Sequence, residues 1–180
     1  MRGAPSIGAM TAEEQCRPVW WTRQYVDSYV LSEEEAWQII QSPPWKCVVA
    51  WVTRDCQPVV CEMAYVILDD KIMLTSTENR DKVKAFRRNP AIALCFQGRG
   101  MKQVTVRGRV ELSNDPALVR RWAETTVDAG GLNLSGPGRE QEIQRYLSPD
   151  RLVLIVHVDK IRTFDGARMF REEQQSAAGS

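Results

Sequence analysis

The sequence contains a single histidine, His157, among its 180 residues. Histidine is the side chain that most often moves protons near neutral pH, so mechanisms that need clustered imidazoles are excluded. The five cysteines include no C-x-x-C pair. Structural zinc sites need tetrahedral Cys or His ligands at defined spacings, and we therefore predict no metal site. The odd number of cysteines favours reduced thiols, and we expect a cytoplasmic protein.

Strong net charge and long apolar runs are also missing. The formal net charge is +1, which argues against a broad surface for nucleic acid or membrane. No apolar run approaches the roughly 20 residues that span a bilayer, and the N-terminus is too polar for a secretory signal. The length predicts one domain with a real core. We divide the chain into a flexible leader (1–18), a single domain (19–170) and a flexible tail (171–180).

The middle of the chain is rich in β-branched and apolar residues separated by short turns. Strand-like runs occupy residues 46–53, 58–67, 72–76, 91–97, 102–112 and 152–164. They follow one another without regular β-α-β alternation, which disfavours a doubly wound parallel sheet. The sequence therefore predicts a mainly β (α+β) fold, a six-stranded antiparallel barrel with peripheral helices. Gly108 interrupts the fifth run, which indicates a β-bulge there.

Two further segments flank this region. Ser32 and Glu35 have the spacing of a capping box and predict a helix start. An aromatic-rich arm precedes that helix, and it packs either on its own domain or on a second subunit. The aromatic residues of this arm are Trp20, Trp21, Tyr25 and Tyr29.

The stretch 74–90, LTSTENRDKVKAFRRNP, combines a strand end, a turn and a short helix. Hydroxyls at Thr75 and Ser76 precede the cations Arg80 and Lys82, and Asn89-Pro90 ends the helix. A helix N-terminus offers free N–H groups and the positive end of the helix dipole, to which arginine and lysine add formal charge. This arrangement suits a phosphate. The alternative, an ordinary capped surface helix with solvated charges, stays open from the stretch alone.

Four stretches together carry a resemblance to a known family. They are VVAWVTRDCQPVVCEMAYVILDDKIMLTS, TENRDKVKAFRRNPAIAL, KQVTVRGRVEL and LVLIVHVDKIRTF. Over residues 31–164 the chain resembles the pyridoxamine 5′-phosphate oxidase-like proteins, which are flavin- or deazaflavin-binding split β-barrels. The resemblance implies the FMN-binding split-barrel type of fold and a homodimer with cofactor sites at the subunit interface. It implies FMN or the deazaflavin F420 as cofactor. The low net charge and the lack of long apolar runs are the reasons to expect no nucleic-acid or membrane partner.

The resemblance also assigns the contacts to the cofactor phosphate. Arg80 and Lys82 match the cationic phosphate ligands of the family. Thr75 and Ser76 match its hydroxyl contacts to phosphate and ribityl chain. These are the residues that the stretch 74–90 already indicates as a phosphate site.

A second set of positions is implied for the flavin ring. Glu62, Met63 and Ala64 fall on the strand that lies along the tricyclic ring in this family. Gln103, in the motif QVTVRG, matches a glutamine that contacts the ring or the ribityl chain. A flat ring needs a flat strand with few protruding polar groups, and a glutamate there is unexpected beside an anionic reduced ring.

The implied activity is hydride transfer between F420 or FMN and a small electron-poor organic substrate, such as a conjugated alkene or a quinone-like compound. The chain lacks the basic strand start and the C-terminal Arg/His extension of the oxidase proper, which argues against vitamin B6 oxidation. No catalytic residue is identified. Tyr65 is either a core residue or a proton donor, and the core role is favoured.

Two alternatives remain on the same barrel. One is a non-catalytic flavin- or F420-binding carrier or sensor. The other is a haem-handling protein with His157 as its only histidine ligand, although a structural histidine is the favoured interpretation.

Overall fold

The computed structural model describes residues 26–130 and 134–178. A short 3₁₀ turn, Val26–Tyr29, precedes the first α-helix. The strands are β1 Lys46–Val52, β2 Pro58–Leu68, β3 Lys71–Thr77, β4 Ala91–Gln97, β5 Lys102–Ser113 and β6 Arg151–Asp165. The helices are α1 Glu33–Ile40, α2 Asp81–Arg88, α3 Pro116–Ala129, α4 Gly136–Tyr146 and α5 Gly166–Ala178.

The six strands close into a barrel in the order β1-β2-β3-β6-β5-β4. Every neighbouring pair is antiparallel. The predicted fold, a split β-barrel with peripheral helices, is confirmed. The hairpin between β2 and β3 is tight. Asp69 and Asp70 adopt φ values of 50° and 57°, and a turn of this kind matches the right-handed twist of the flanking strands.

The bulge predicted at Gly108 is present. The register between β5 and β6 shifts between Arg107 and Gly108, where Gly108 lies opposite Val158. A side chain at this position would overlap the backbone carbonyl oxygen of His157. Only glycine lets the two strands approach so closely, and the extra residue bends β6 around the barrel.

The interior of the barrel is the main hydrophobic core. Tyr65, Phe96 and Leu154 are among its largest buried side chains. The Tyr65 hydroxyl donates to the carbonyl oxygen of Ile40 at 2.6 Å, which ties α1 to the barrel. Burial raises the pKa of Tyr65 above its usual value, so this hydroxyl stays protonated. Tyr65 is therefore the core tyrosine that the sequence favoured, with its hydroxyl engaged in the core.

A second core lies outside the barrel, between helix α3 and the outer faces of β2, β3 and β6. Trp122 is 1 % exposed and packs among Val66, Met73 and Ile155. Its indole N–H donates to the carbonyl oxygen of Met73 at 3.2 Å. This helix covers one side of the barrel, including the second half of β2, and leaves the outer face of β1, β4 and the first half of β2 uncovered.

The segment predicted as a flexible tail, residues 171–180, forms a helix in its described part, and its flexibility stays a prediction. Helix α5 begins at Gly166 and continues through this segment to Ala178. The carboxylate of Asp165 accepts from the backbone N–H of Arg168 at 2.9 Å, and Arg168 pairs with Glu172 one turn later. The sequence did not predict this helix, because its polar composition outweighed the cap at Asp165 and the i,i+4 pair of Arg168 with Glu172. The predicted leader, 1–18, and three of the four aromatic residues of the arm lie outside the described residues.

No helix among the described residues has both the length and the apolar character needed to cross a membrane. The described residues also include no cluster of three or more His, Cys, Asp or Glu side chains suited to a metal ion.

The four described cysteines are free thiols, and they differ in reactivity. Burial raises the pKa of the Cys47 thiol from 9.0 to about 12, whereas Cys56 is exposed in the β1–β2 turn. We expect iodoacetamide at pH 8 to modify Cys56 while Cys47 stays unmodified in the native protein, because the thiolate is the reacting form. Peptide mass spectrometry of the alkylated protein measures this. Equal labelling of both cysteines in the folded protein would contradict the description of Cys47.

The same shift has a consequence for stability. The folded state holds the Cys47 proton more tightly than the unfolded chain, so its contribution to stability is complete below about pH 9. It is lost as the pH rises toward 12.

Candidate functional site

The turn between β3 and α2 has the shape that the sequence predicts. The N–H of Arg80 donates to the carbonyl oxygen of Thr77 at 3.0 Å, and Arg80 occupies the extended N-cap position of α2. Its side chain is exposed and makes no capping bond. Helix α2 ends at Arg88, directly before Asn89-Pro90. The first N–H groups of α2 have no intrahelical acceptor and remain available to an anion.

Lys82 is the distinctive cation of this turn. It is half-buried, and its Nζ lies 3.4 Å from the Met63 sulfur, 3.7 Å from the Cys61 sulfur and 5.7 Å from the centre of the Trp51 ring. Sulfur is a weak hydrogen-bond acceptor. Within the part of the chain that the structure describes, Lys82 has no carboxylate partner. Its ammonium group thus lies among two sulfur atoms and an indole ring, and no described carboxylate compensates it.

The neighbouring cations of α2 differ from Lys82. Lys84 pairs with Asp81 at 3.6 Å, and Arg87 pairs with Glu78 at 2.7 Å. Asp81 places a carboxylate in the first turn of the helix, which opposes an anion there, and its pairing with Lys84 offsets part of that charge.

The two predicted hydroxyls fall on opposite faces of β3. Ser76 is 6 % exposed and shares its face with Ile72 and Leu74, which point into the barrel core that α2 also covers. Thr75 lies on the outer face, and its hydroxyl donates to the carbonyl oxygen of Leu152 at 2.9 Å. Ser76 is therefore on the side of Lys82, whereas the Thr75 hydroxyl is engaged with β6.

The predicted ring-side residues of β2 are likewise divided between two faces. Met63 points toward Lys82. Glu62 and Ala64 lie on the outer face, where Glu62 pairs with Lys46 at 3.0 Å and 62 % of its side chain is exposed. Residues that alternate along a strand cannot all contact one surface. A ring placed against this strand would meet either Met63 or the pair Glu62 and Ala64.

Gln103 is exposed at the start of β5, opposite Gln97 and Phe164. Helix α2 packs against the end of the barrel near Trp51, whose ring lies 6.4 Å from that of Phe86. Gln103 lies at the other end of the barrel, so a single chain does not bring it to Lys82.

His157 is 41 % exposed on β6, and its Nε2 lies 2.8 Å from a carboxylate oxygen of Glu111. The pair crosses two neighbouring strands on the outer face of the barrel. This is the structural role that the sequence favoured for the only histidine.

Two residues beside Lys82 escape prediction from the sequence. These two residues are Cys61 and Trp51. The proximity of Cys61 to Lys82 could have been predicted from the two-residue period of β2, because Cys61 and Met63 lie on the same face of that strand. The position of Trp51 beside Lys82 follows only from the register in which β1 pairs with β2.

The comparison with protein families gives a match over most of the barrel. The family model described as pyridoxamine 5′-phosphate oxidase matches residues 32–165. The chain belongs to the pyridoxamine 5′-phosphate oxidase family. The resemblance drawn from the four stretches of sequence is thereby confirmed.

No curated protein matches the chain in a sequence search. Solved structures do. A conserved hypothetical protein from Mycobacterium tuberculosis shares 18 % identity at a TM-score of 0.70, covering 78 % of this chain and 89 % of its own. A FAD-binding protein from Mesorhizobium loti shares 20 % identity at a TM-score of 0.55, covering 74 % and 94 %.

An F420 reductase shares 21 % identity at a TM-score of 0.53, covering 69 % of this chain and 93 % of its own. Identities at this level show a common fold with this member of the pyridoxamine 5′-phosphate oxidase family.

Proposed function

We propose that this protein binds FMN or F420 through the phosphate of the cofactor and transfers hydride between that cofactor and a small electron-poor organic substrate. The observation that carries the proposal is Lys82. Its half-buried ammonium group lies among two sulfurs and an indole ring and has no carboxylate partner in the described chain. A fixed cation without a counter-ion next to a helix N-terminus suits a phosphate.

The other groups of the turn complete the phosphate site. The backbone N–H groups of the first turn of α2 and the guanidinium group of Arg80 would donate to phosphate oxygens. Ser76 lies on the same side of β3 and would bind the phosphate or the adjoining ribityl chain. These residues hold and orient the cofactor. When bound, FMN or F420 supplies the hydride chemistry itself.

The described neighbourhood of Lys82 contains no carboxylate or imidazole in contact with its ammonium group. This composition is compatible with a protein that positions a cofactor and leaves proton transfer to solvent. It equally suits the second candidate, a non-catalytic carrier or sensor of the same cofactor. The two differ only in turnover.

We further propose a homodimer with its two cofactor sites at the subunit interface. The outer face of β1, β2 and β4 is apolar apart from the ion pair of Lys46 with Glu62, and no described helix covers it around Val48 and Val60. Val48 is 43 % exposed and Val60 is 64 % exposed. Ala50 on β1 lies directly opposite Val60 on one side and Ala93 on the other. A second copy on this face would bury these side chains, and it would supply Gln103 to a site that one chain alone does not complete.

Substitution of Val60 by lysine tests the dimer. A charge in the middle of the apolar face is expected to convert the dimer to a monomer, because an unpaired buried cation is strongly unfavourable. Sedimentation equilibrium measures the result. The matched control is Val30→Lys, since Val30 is 52 % exposed and lies before α1, away from β1 and β2. A Val60→Lys protein that stays as dimeric as the control would contradict this interface.

Titration of the purified apoprotein with FMN and, separately, with F420 tests the proposed function, with cofactor fluorescence as the signal. Tight binding of either cofactor supports the phosphate site, and binding of neither overturns it. The loaded protein is then reduced chemically and mixed with menadione, a quinone. Reoxidation that is faster than for the free cofactor supports the oxidoreductase. Reoxidation at the rate of the free cofactor favours the carrier.

A further inference from the structure

Three exposed cations lie together on the outer face of β5 and β6. Arg107 is directly opposite Lys160, and Arg162 lies two residues further along β6, opposite Thr105. Side chains directly opposite each other on antiparallel strands lie about 5 Å apart at Cβ, and like charges in that arrangement are destabilising. Within the described residues, none of the three forms an ion pair.

The rest of the same face pairs its charges. Arg109 binds both carboxylate oxygens of Asp159 at 3.1 and 3.3 Å. His157 pairs with Glu111, and on the neighbouring strands Lys46 pairs with Glu62. The cluster of Arg107, Lys160 and Arg162 therefore differs from its surroundings, and an anion from outside the described chain would relieve its mutual repulsion.

A cleft of about 960 Å³ adjoins this cluster, between the start of α1 and β6. It forms because β3 pairs with β6 only as far as Val156, which leaves the edge of residues 157–165 without a strand on that side. Leu31, Trp37 and Ile161 supply apolar lining, while Lys160 and Arg162 line the same cleft. Its volume is within the range of about 300–1,000 Å³ that is usual for small-molecule sites.

The carboxylates of the cleft do not cancel its positive charge. Asp159 and Glu33 both line it, but Asp159 is already engaged by Arg109. Lys160 and Arg162 together with the neighbouring Arg107 outnumber the one remaining carboxylate. The ligand that fits has an apolar body for the cleft and an anionic group for the cations.

We propose that Arg107, Lys160 and Arg162 form a binding site for a small amphipathic anion, an aromatic or aliphatic body that carries a phosphate or carboxylate group. Within one chain this site is separate from the Lys82 turn. Helix α1 borders the cleft and packs at the end of the barrel that contains Gly98. The Ile39 side chain contacts the β4–β5 turn there. Helix α2 packs at the other end, near Trp51. The inference does not depend on the proposed cofactor chemistry.

Isothermal titration of the full chain with three probes tests this site. The probes are 2-naphthyl phosphate, 2-naphthol and inorganic phosphate, which carry the anion and the apolar body together or one at a time. We expect 2-naphthyl phosphate to bind and each of the other two to bind at least about tenfold more weakly, since both halves of the site contribute. Failure of 2-naphthyl phosphate to bind, or equal binding of 2-naphthol, overturns the proposal.

Matched variants locate the bound probe. The double substitution Lys160→Gln/Arg162→Gln is expected to weaken 2-naphthyl phosphate by at least about tenfold, because charge-assisted hydrogen bonds to the anion are lost. Arg121→Gln is the control and should bind as the natural protein does, because Arg121 is an exposed arginine paired with Asp69 and neither residue lines the cleft. Lys82→Met should also leave this binding unchanged. Binding that is lost in Lys82→Met and kept in the double variant would place the probe in the cofactor phosphate site and overturn the proposal.

The same double variant separates a ligand from a second copy of the chain. If the cations instead faced Glu62 of a second copy, the double variant would become monomeric in sedimentation equilibrium with its affinity for 2-naphthyl phosphate unchanged. That outcome overturns the proposal. Unchanged FMN or F420 affinity in the double variant, together with lost naphthyl phosphate binding, supports it and leaves the cofactor proposal to its own test.

Discussion

Replacing Lys82 by methionine is expected to weaken the binding of FMN or F420 by about tenfold to one hundredfold, the size of one charge-assisted hydrogen bond to a phosphate. Methionine keeps the length and the apolar stem of the side chain, so its contacts with Trp51 and Met63 persist while the charge is lost. Fluorescence titration of the apoprotein measures the dissociation constant. Because the ammonium group already lacks a carboxylate partner, its removal leaves no unpaired buried carboxylate, and the fold should tolerate it.

Lys84→Met is the matched control for this experiment. Lys84 is in the same helix two residues away, but it is exposed and already paired with Asp81. The Lys84→Met variant should bind the cofactor with a dissociation constant within about twofold of that of the natural protein, since an exposed pair of this kind contributes little. If Lys84→Met and Lys82→Met weakened binding equally, general positive charge rather than the fixed position of Lys82 would explain the affinity.

Replacing Gly108 by alanine is expected to lower the free energy of unfolding by about 2–4 kcal/mol, because the new methyl group meets backbone and the strands must separate. The added Cβ would overlap the carbonyl oxygen of His157 and lie 3.0 Å from its carbonyl carbon. These backbone atoms cannot rotate away as the end of a flexible side chain does. Equilibrium unfolding in urea, followed by circular dichroism, measures the change.

Gly138→Ala is the matched control for the bulge. Gly138 is in helix α4, and a Cβ there meets no atom within 4 Å. Alanine favours helix over glycine, so this variant should be as stable as the natural protein or more stable by up to about 1 kcal/mol. Equal stability of the two alanine variants would contradict the close approach of β5 and β6 at the bulge.

The barrel could be predicted from the sequence because its strands carry strong local signals. The runs VVAWV in β1 and LVLIV in β6 are β-branched and apolar, and the Asp69-Asp70 turn between β2 and β3 has the residues that a tight hairpin needs. The capping box of Ser32 and Glu35 is also present, with both of its hydrogen bonds. Helix α5 was not predicted, because its polar composition resembles that of a tail and its cap, Asp165, is the last residue of a long strand.

The candidate site was predictable only in part. Lys82 follows from the order of strand, hydroxyls, cations and helix. The residues that hold it in place, Cys61 and Trp51, come from other strands, and only the pairing of β1 with β2 brings them near α2. Neighbouring residues of a strand point to opposite faces, so Thr75 and Ser76 lie on different faces of β3, and Glu62 and Met63 on different faces of β2. The family resemblance assigns these residues to one site without taking this alternation into account. The cation cluster of Arg107, Lys160 and Arg162 could not be predicted, because its members are brought together by the register of β5 and β6 across the bulge, which the sequence does not reveal.

The central claim, that Lys82 binds the phosphate of a flavin-type cofactor, is tested most directly by comparing FMN with riboflavin in the natural protein and in Lys82→Met. Riboflavin has the same ring and ribityl chain without the phosphate. F420 and its phosphate-free core form the equivalent pair if the protein prefers the deazaflavin. We predict that the natural protein binds the phosphorylated cofactor more tightly by at least about tenfold, and that this preference largely disappears in Lys82→Met. A preference that persists undiminished in the variant would contradict the account, because the phosphate would then be bound elsewhere.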